Sequence, residues 1–260
     1  MSTDVTIHPT AIVEQGAELD SGVEIGPYSI IKGNVKIGAN TVVRERVTVE
    51  GWTTLGKNNH IFAGAVVGSM TQDKKYKGEK SFLRIGENNH IREYVTINPG
   101  TGEGTETVIG NDNLFMAYSH IAHDCILHNN ITLANVGTLA GHVIVEDRAI
   151  IGGLSAVHQF VRIGALSIVG GCSKVVQDIP PFMMLDGHPA RAFGINSVGL
   201  DRAGYTKDDK MFLKRAFKII FKSSLSLKSS IKRIEEEIEK TPAITTLLSF
   251  LHQSERGICK

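Results

Sequence analysis

The chain has 260 residues with 28 basic and 27 acidic side chains, so it carries no global field that would gather nucleic acid or anionic lipid. Its three cysteines, Cys125, Cys172 and Cys259, form no pairable framework and show no close zinc spacing, which fits reduced thiols in the cytosol. The first ten residues, MSTDVTIHPT, have neither a basic head nor an apolar run, and no stretch is long enough to span a bilayer; a cytoplasmic protein is expected, with no nucleic-acid partner and no membrane span.

From Ile7 to Val175 every sixth residue is aliphatic, almost without exception. Of these 29 positions 25 are Ile, Leu or Val, one is Phe115, and only Asp73, Glu79 and Glu103 break the rule. The fourth residue after each aliphatic one is usually small or β-branched, as in Ala17, Val23, Ser29 and Thr41, and the next residue is repeatedly Gly. A six-residue period with few aromatics and many glycines predicts a parallel β-helix, whose short strands stack coil upon coil and bury their aliphatic ladder inside. With three hexads to an 18-residue coil, the repeat region gives about ten coils within a first domain spanning 1–190. The three exceptions fall in polar, glycine- and lysine-rich stretches, which predict two loop excursions at 68–84 and 98–108 and mark them as candidate substrate contacts.

The phase ends at Asp178-Ile179-Pro180-Pro181, where two prolines stop further ladder pairing. Beyond it, 191–260 is predicted to be an α-helical C-terminal domain: Thr206 and Ser226 read as helix caps, and Thr241-Pro242 as the cap and first turn of a third helix. Lys214, Lys218 and Lys222 lie four apart and are expected to share one helix face, where they serve either as a solvated surface or as a contact for an acidic carrier protein.

Folding the sequence onto 18-residue coils stacks His123, Gly141 and Gln159 at one corner of three layers. Asp124, His142 and Phe160 stack one residue further on, with His120 and His158 nearby. Imidazole titrates near neutrality, so His123 suits a general base for a hydroxyl or amine beside an activated acyl group. Gly141, lacking a side chain, leaves a backbone N–H open to a developing oxyanion. Asp124 and His142 are expected to pair, whereas Asp124 is not expected to orient His123, because neighbours on extended backbone point to opposite sides. Cys125 occupies a small inward position and reads as inert packing, and Cys172 reads as structural. The rival reading is a zinc site on His90, His123 and His128, a spacing that also occurs in zinc carbonic anhydrases built on this repeat. A non-catalytic scaffold is the third.

At these residues the chain resembles the UDP-N-acetylglucosamine acyltransferase family, through IHPTAIVEQGA, SHIAHDC, LAGHV, AVHQF, VGGCS, QDIPP and the segment from Gly194 to Arg202. The resemblance implies an all-β, parallel, left-handed β-helix followed by the small helical domain. It also implies transfer of an (R)-3-hydroxyacyl group from acyl carrier protein to the 3-position of UDP-N-acetylglucosamine, the first step of lipid A biosynthesis. Direct attack on the thioester is implied, with no metal and no cofactor bound by the enzyme, since phosphopantetheine arrives on the carrier protein. By the same resemblance His123 is the base and Gly141 the oxyanion donor. His120, His142, His158 and Gln159 line the cleft, Asp73 and Lys75 contact sugar and phosphate, Asn196 and Arg202 hold the nucleotide, and Gly171 limits acyl length. The family works as a homotrimer with active sites between subunits. Asn98, Val198 and Ala203 depart from the commonest family pattern, where His, an acidic residue and a second Arg are usual, which leaves N-acylation of a 3-amino sugar as the alternative.

Overall fold

Residues 4–260 are described by a computed structural model, and they form a three-sided, left-handed parallel β-helix closed by a helical segment. Two-residue strands recur every six residues, from Thr6–Ile7 to Lys174–Val175, and make up the three walls. In each strand one residue faces solvent and the next faces inward, and from Ile25 onward the inward residue is buried throughout. The aliphatic ladder seen in the sequence is therefore the core itself, consistent with the period-two geometry of a strand.

The register confirms the eighteen-residue rung: Ile121 pairs with Leu139, and Leu139 with Val157. Two coils are longer, because His60 pairs with His90 and His90 with Leu114. The excess is twelve and six residues, a whole coil's worth of chain, so the first wall holds nine coil strands where ten coils were expected. Both insertions are multiples of six, which is why the six-residue phase of the sequence survives them.

Most corners turn through a residue in the left-handed region. Asn40, Arg46, Asn58, Asp112, Asp124, Val136, His142, Leu154 and Phe160, among others, have φ between 56° and 65° at a strict six-residue spacing. That conformation costs a non-glycine residue about 1–2 kcal/mol. The offset is a hydrogen bond from the same residue's N–H to the carbonyl one coil below, as in Asn58 to Ala39 (2.9 Å), His142 to His123 (3.0 Å) and Phe160 to Gly141 (3.1 Å).

Three inward positions carry asparagine. The Asn113 amide donates to Asn89 Oδ1 (2.9 Å) and the Asn89 amide to Asn59 Oδ1 (3.0 Å), while their remaining protons go to the Gly110 and His128 carbonyls. This buried ladder spans the coils from which the excursions leave. The excursions themselves end at Ser81 and Thr105, earlier than expected, because Phe82–Ile85 and Glu106–Ile109 are already four-residue strands. They are tied together by Lys80 N–H to Glu103 (2.9 Å), Gly104 N–H to Lys80 O (2.8 Å) and a Thr71–Thr101 hydroxyl contact (3.3 Å).

After the last coil an antiparallel hairpin, Met183–Gly187 and Ala190–Ile195, extends the first wall and straddles residue 190, a feature no sequence signal revealed. Four helices follow: α1 (Ser197–Arg202), α2 (Lys207–Phe221), α3 (Leu227–Glu237) and α4 (Pro242–Gln253). The expected caps hold α2 to α4, with Thr206 and Asp209 forming a full capping box; α1 was not foreseen. The final residues return to the open edge of the β-helix. Asp178 N–H donates to Gly257 O (3.0 Å), Cys259 N–H donates to Asp178 O (3.0 Å), and the buried Asp178 carboxylate accepts from Arg162 N–H (2.9 Å) and the Ser254 hydroxyl (2.7 Å). A strand edge that would otherwise invite another chain is thereby paired. Among the described residues no helix is long and apolar enough to cross a membrane.

The asparagine ladder gives a direct test of stability. Asn89→Ala leaves the Asn113 backbone N–H and one Asn113 amide proton without an acceptor in the core, while Asn59 Oδ1 keeps the backbone N–H of residue 89, so unfolding by denaturant should lose about 2–3 kcal/mol; a loss under about 0.5 kcal/mol would show that the ladder contributes nothing.

Candidate active site

Three consecutive corners on the edge between the second and third walls bring the candidate groups together. His123 and Asp124 form one turn, Gly141 and His142 the turn above it, and Gln159 and Phe160 the next. His123 Nδ1 lies 2.8 Å from Asp124 Oδ2, with both side chains largely buried at 13% and 10% exposure. The sequence reading denied this contact on the assumption of extended backbone. Asp124 instead has φ 58°, and a left-handed corner swings its side chain to the same side as its neighbour's. An ionised carboxylate can only accept, so the shared proton sits on Nδ1, and in the neutral ring Nε2 then presents a lone pair. Burial pushes the Asp124 carboxyl up, but hydrogen bonds from His123 and Thr105 and the charge of His142 outweigh it, leaving the group below the usual carboxylate range. The backbone N–H of Thr101, from the second excursion, adds a donor at 3.2 Å. The expected Asp124–His142 contact is present but longer, at 3.8 Å to Nε2.

Gly141 is needed for space, not for a special backbone angle. A Cβ there would stand 2.5 Å from His123 Cε1 and 2.6 Å from Nε2, so the imidazole leans directly over the glycine. Among the described residues the Gly141 N–H has no acceptor, a property it shares with the equivalent groups of His123 and Gln159. Only at Gly141 does such a free donor sit beside the basic nitrogen of a histidine with no side chain between them. On the other side of the ring, Asp73 Oδ2 from the first excursion lies 3.7 Å from Nε2 and is one-quarter exposed.

The surrounding rings are packed in series. His142 meets His123 edge to face at 5.1 Å and stacks on Phe160 at 4.6 Å. His120 is held by the Thr96 hydroxyl (2.7 Å), and burial, then the neighbouring His123, pushes it below the usual imidazole range, which favours the neutral ring. Lys75 is exposed and gives its backbone N–H to Asp73 (2.9 Å). His158 and Gln159 are exposed on the turn above.

Residues 178–259 match the family model described as Udp N-acetylglucosamine O-acyltransferase, domain 2, and residues 16–51 match the bacterial transferase hexapeptide model. The chain is 50% identical over 256 residues to the acyl-[acyl-carrier-protein]–UDP-N-acetylglucosamine O-acyltransferase of Thermodesulfovibrio yellowstonii, covering 98% of this chain and 99% of that one. The same-named protein of Gloeothece citriformis is 46% identical, over 95% of this chain and 90% of its own. The solved structure of LpxA from Acinetobacter baumannii superposes with a TM-score of 0.94 at 45% identity, over 98% and 99% of the two chains. The chain belongs to the UDP-N-acetylglucosamine O-acyltransferase family.

Against the family's expected site, several residues stand apart from the histidine corner in a single chain. Asn196 is buried and caps α1, accepting from Gly199 N–H (2.8 Å) and donating to Leu166 O (2.8 Å), so both ends of its amide are engaged in structure. Arg202 ends α1 in the open. Gly171 is exposed, and a Cβ there would meet only the Gly153 carbonyl, at 3.3 Å. Of the departures from the family pattern, Asn98 is buried and ties the root of the first excursion through the Ser69 (2.9 Å) and Met70 (3.3 Å) carbonyls, and Val198 is exposed.

Other expectations are corrected or sharpened. Cys125 is buried and its thiol is pushed up to about 12 by burial, which removes it as a nucleophile. Cys172 is an exposed corner residue with φ 58°, not a packed structural one. Lys214 and Lys218 share a basic cavity of about 470 Å³ with Lys207, Lys210 and Arg215, but Lys222 caps the end of α2 and lies over the Phe217 ring instead. His90 stacks on His60 and does not gather with His123 and His128; the one close set of metal-competent side chains among the described residues is His123, Asp124 and His142.

Gly141→Ala isolates the spatial role of the glycine. In its crystal structure the His123 ring should be displaced and its Nδ1 should lie more than 3.5 Å from Asp124, whereas an unmoved ring would mean that the corner has room to spare.

Proposed function

We propose that the protein transfers an (R)-3-hydroxyacyl group from acyl carrier protein to the 3-hydroxyl of UDP-N-acetylglucosamine, the opening step of lipid A biosynthesis, in the cytoplasm. The observation that carries this reading is the pairing of a carboxylate-held imidazole with an unbonded glycine N–H one coil above it. His123 Nε2 takes the proton of the sugar hydroxyl as its oxygen attacks the thioester carbon. The carbonyl oxygen becomes an oxyanion facing the Gly141 N–H, a kind of donor commonly worth about 3–4 kcal/mol in the transition state. Collapse expels the phosphopantetheine thiolate, which receives the proton back from His123. Asp124 keeps the ring in the tautomer that can do both. The chain uses no covalent acyl-enzyme, a reading supported by the burial of Cys125, and no resident metal or cofactor.

Asp73, near Nε2, fits a contact to the acceptor sugar, since any hydroxyl reaching the base must pass close to it. Lys75, His120, His142, His158 and Gln159 line the approach, and Asn196 and Arg202 serve the nucleotide end, Asn196 by shaping α1. Because those two lie away from the histidine corner, a neighbouring subunit is the natural source of the nucleotide contacts. One corner of the prism carries a column of exposed Tyr28, Tyr94, Tyr118, Val136 and Leu154, apolar surface of the kind that a homotrimer buries. The same chemistry serves a 3-amino sugar, and the mass of the product distinguishes the two acceptors.

His123→Ala should lower turnover with hydroxyacyl carrier protein and UDP-N-acetylglucosamine by about 10²–10⁴-fold while melting temperature and oligomer size persist; unchanged turnover would overturn the assignment. Gly171 lies 48 residues past His123, roughly 13 Å along the axis at the inter-strand spacing. Gly171→Met, whose Cβ would meet only the Gly153 carbonyl at 3.3 Å, should shift preference toward shorter acyl chains, and an unaltered chain-length profile would put the acyl groove elsewhere.

A further inference from the structure

A second groove, of about 670 Å³, opens on the far side of the catalytic corner. Asp124, His142 and Phe160 form one bank, Ile126, Ile144 and Arg162 line it from the third wall, and Arg256 stands on the other bank with Asp178, Gln253 and Glu255. The two arginines differ. Arg162 is committed, bonding Glu146 (3.0 Å) and Gln253 (3.3 Å) and covering the Phe250 ring at 4.7 Å. Arg256 has no ion pair among the described residues, and its guanidinium reaches only Val176 O and His158 Nδ1, both at 3.4 Å. The second contact is weaker than it looks, because His158 Nδ1 also lies 3.1 Å from the Gln159 carbonyl. A ring nitrogen that donates to that carbonyl has no lone pair left for an arginine. Five donors thus have one long acceptor between them.

Nor is Arg256 there by accident of a loose terminus. The residues around it are pinned to the last coil through Asp178, Ser254, Gly257 and Cys259, and its own carbonyl accepts from Gln177 Nε2 (3.3 Å). An exposed guanidinium on a pinned stretch of backbone and short of acceptors, in a groove that reaches the base's own carboxylate, suits the fork geometry that binds phosphate oxygens. We infer that Arg256 is a phosphate-ester binding residue of this second groove, beside the catalytic corner. This rests on the proposed reaction, which brings two phosphate esters to the corner: the diphosphate of the sugar nucleotide and the phosphodiester of the pantetheine arm.

The test compares ligand pairs that differ only in phosphate, in the full-length wild type and in Arg256→Gln. One pair is hydroxyacyl-phosphopantetheine against hydroxyacyl-pantetheine as donors, and the other is UDP against uridine, bound by calorimetry. The wild type should favour the phosphorylated member about tenfold or more, and Arg256→Gln should lose that preference in one pair, which names the ester; Arg256→Lys should keep part of it. A tail merely loosened by the substitution would weaken both members alike and leave the ratios intact. Wild-type ratios retained by Arg256→Gln in both pairs, or a wild type with no preference in either, overturn the inference. Failure of the acyl-transfer reading would show separately, as absent wild-type turnover, while the UDP and uridine measurement still tests the arginine.

Discussion

The hydrogen bond that most corner residues, Asp124 excepted, make to the carbonyl one coil below is the constraint on which the rest of the structure depends. It lets residues as unsuited to the left-handed region as Val136 and Leu154 turn the chain every six residues, and it locks successive coils in register. Register then dictates chemistry. Because His142 N–H is tied to His123 O, the glycine beside His142 must lie over the His123 ring, and because Phe160 N–H is tied to Gly141 O, the Phe160 ring must stack on His142. The candidate site is built on the coil-to-coil register, with the two excursions bringing Asp73 and the Thr101 N–H to it from outside.

The left-handed corner also resolves how two adjacent residues can act as a base and its orienting carboxylate. In a strand, His123 and Asp124 would face opposite sides. At the corner they face the same way, and the space that the ring then requires is provided by the missing side chain of Gly141. Base, carboxylate and oxyanion donor are thus three consequences of one turn geometry repeated at an eighteen-residue interval.

Much of this was legible in the sequence, because a repeat whose length equals its structural period places distant residues without any knowledge of tertiary contacts. His123, Gly141 and Gln159 could be stacked by counting alone, and the inward ladder, the inert Cys125 and the caps at Thr206, Ser226 and Thr241 follow from local rules. What was misread came from applying strand geometry to a corner, as with Asp124, and from counting excursion residues as coil, which gave one coil too many. The hairpin after Phe182, the structural engagement of Asn196 and the return of the tail to Asp178 depend on packing between segments as much as 80 residues apart, and no periodicity carries that information. Arg256 belongs to the same class: nothing in its neighbours in sequence places it beside His158.

The most direct measurement of the account is the imidazole proton spectrum of His123 in the free protein. A His123 Nδ1–H held by Asp124 should give a downfield, slowly exchanging proton resonance that vanishes in both His123→Ala and Asp124→Ala. A wild-type spectrum without that resonance, or one in which it survives Asp124→Ala, would contradict the claim that the corner geometry makes this pair.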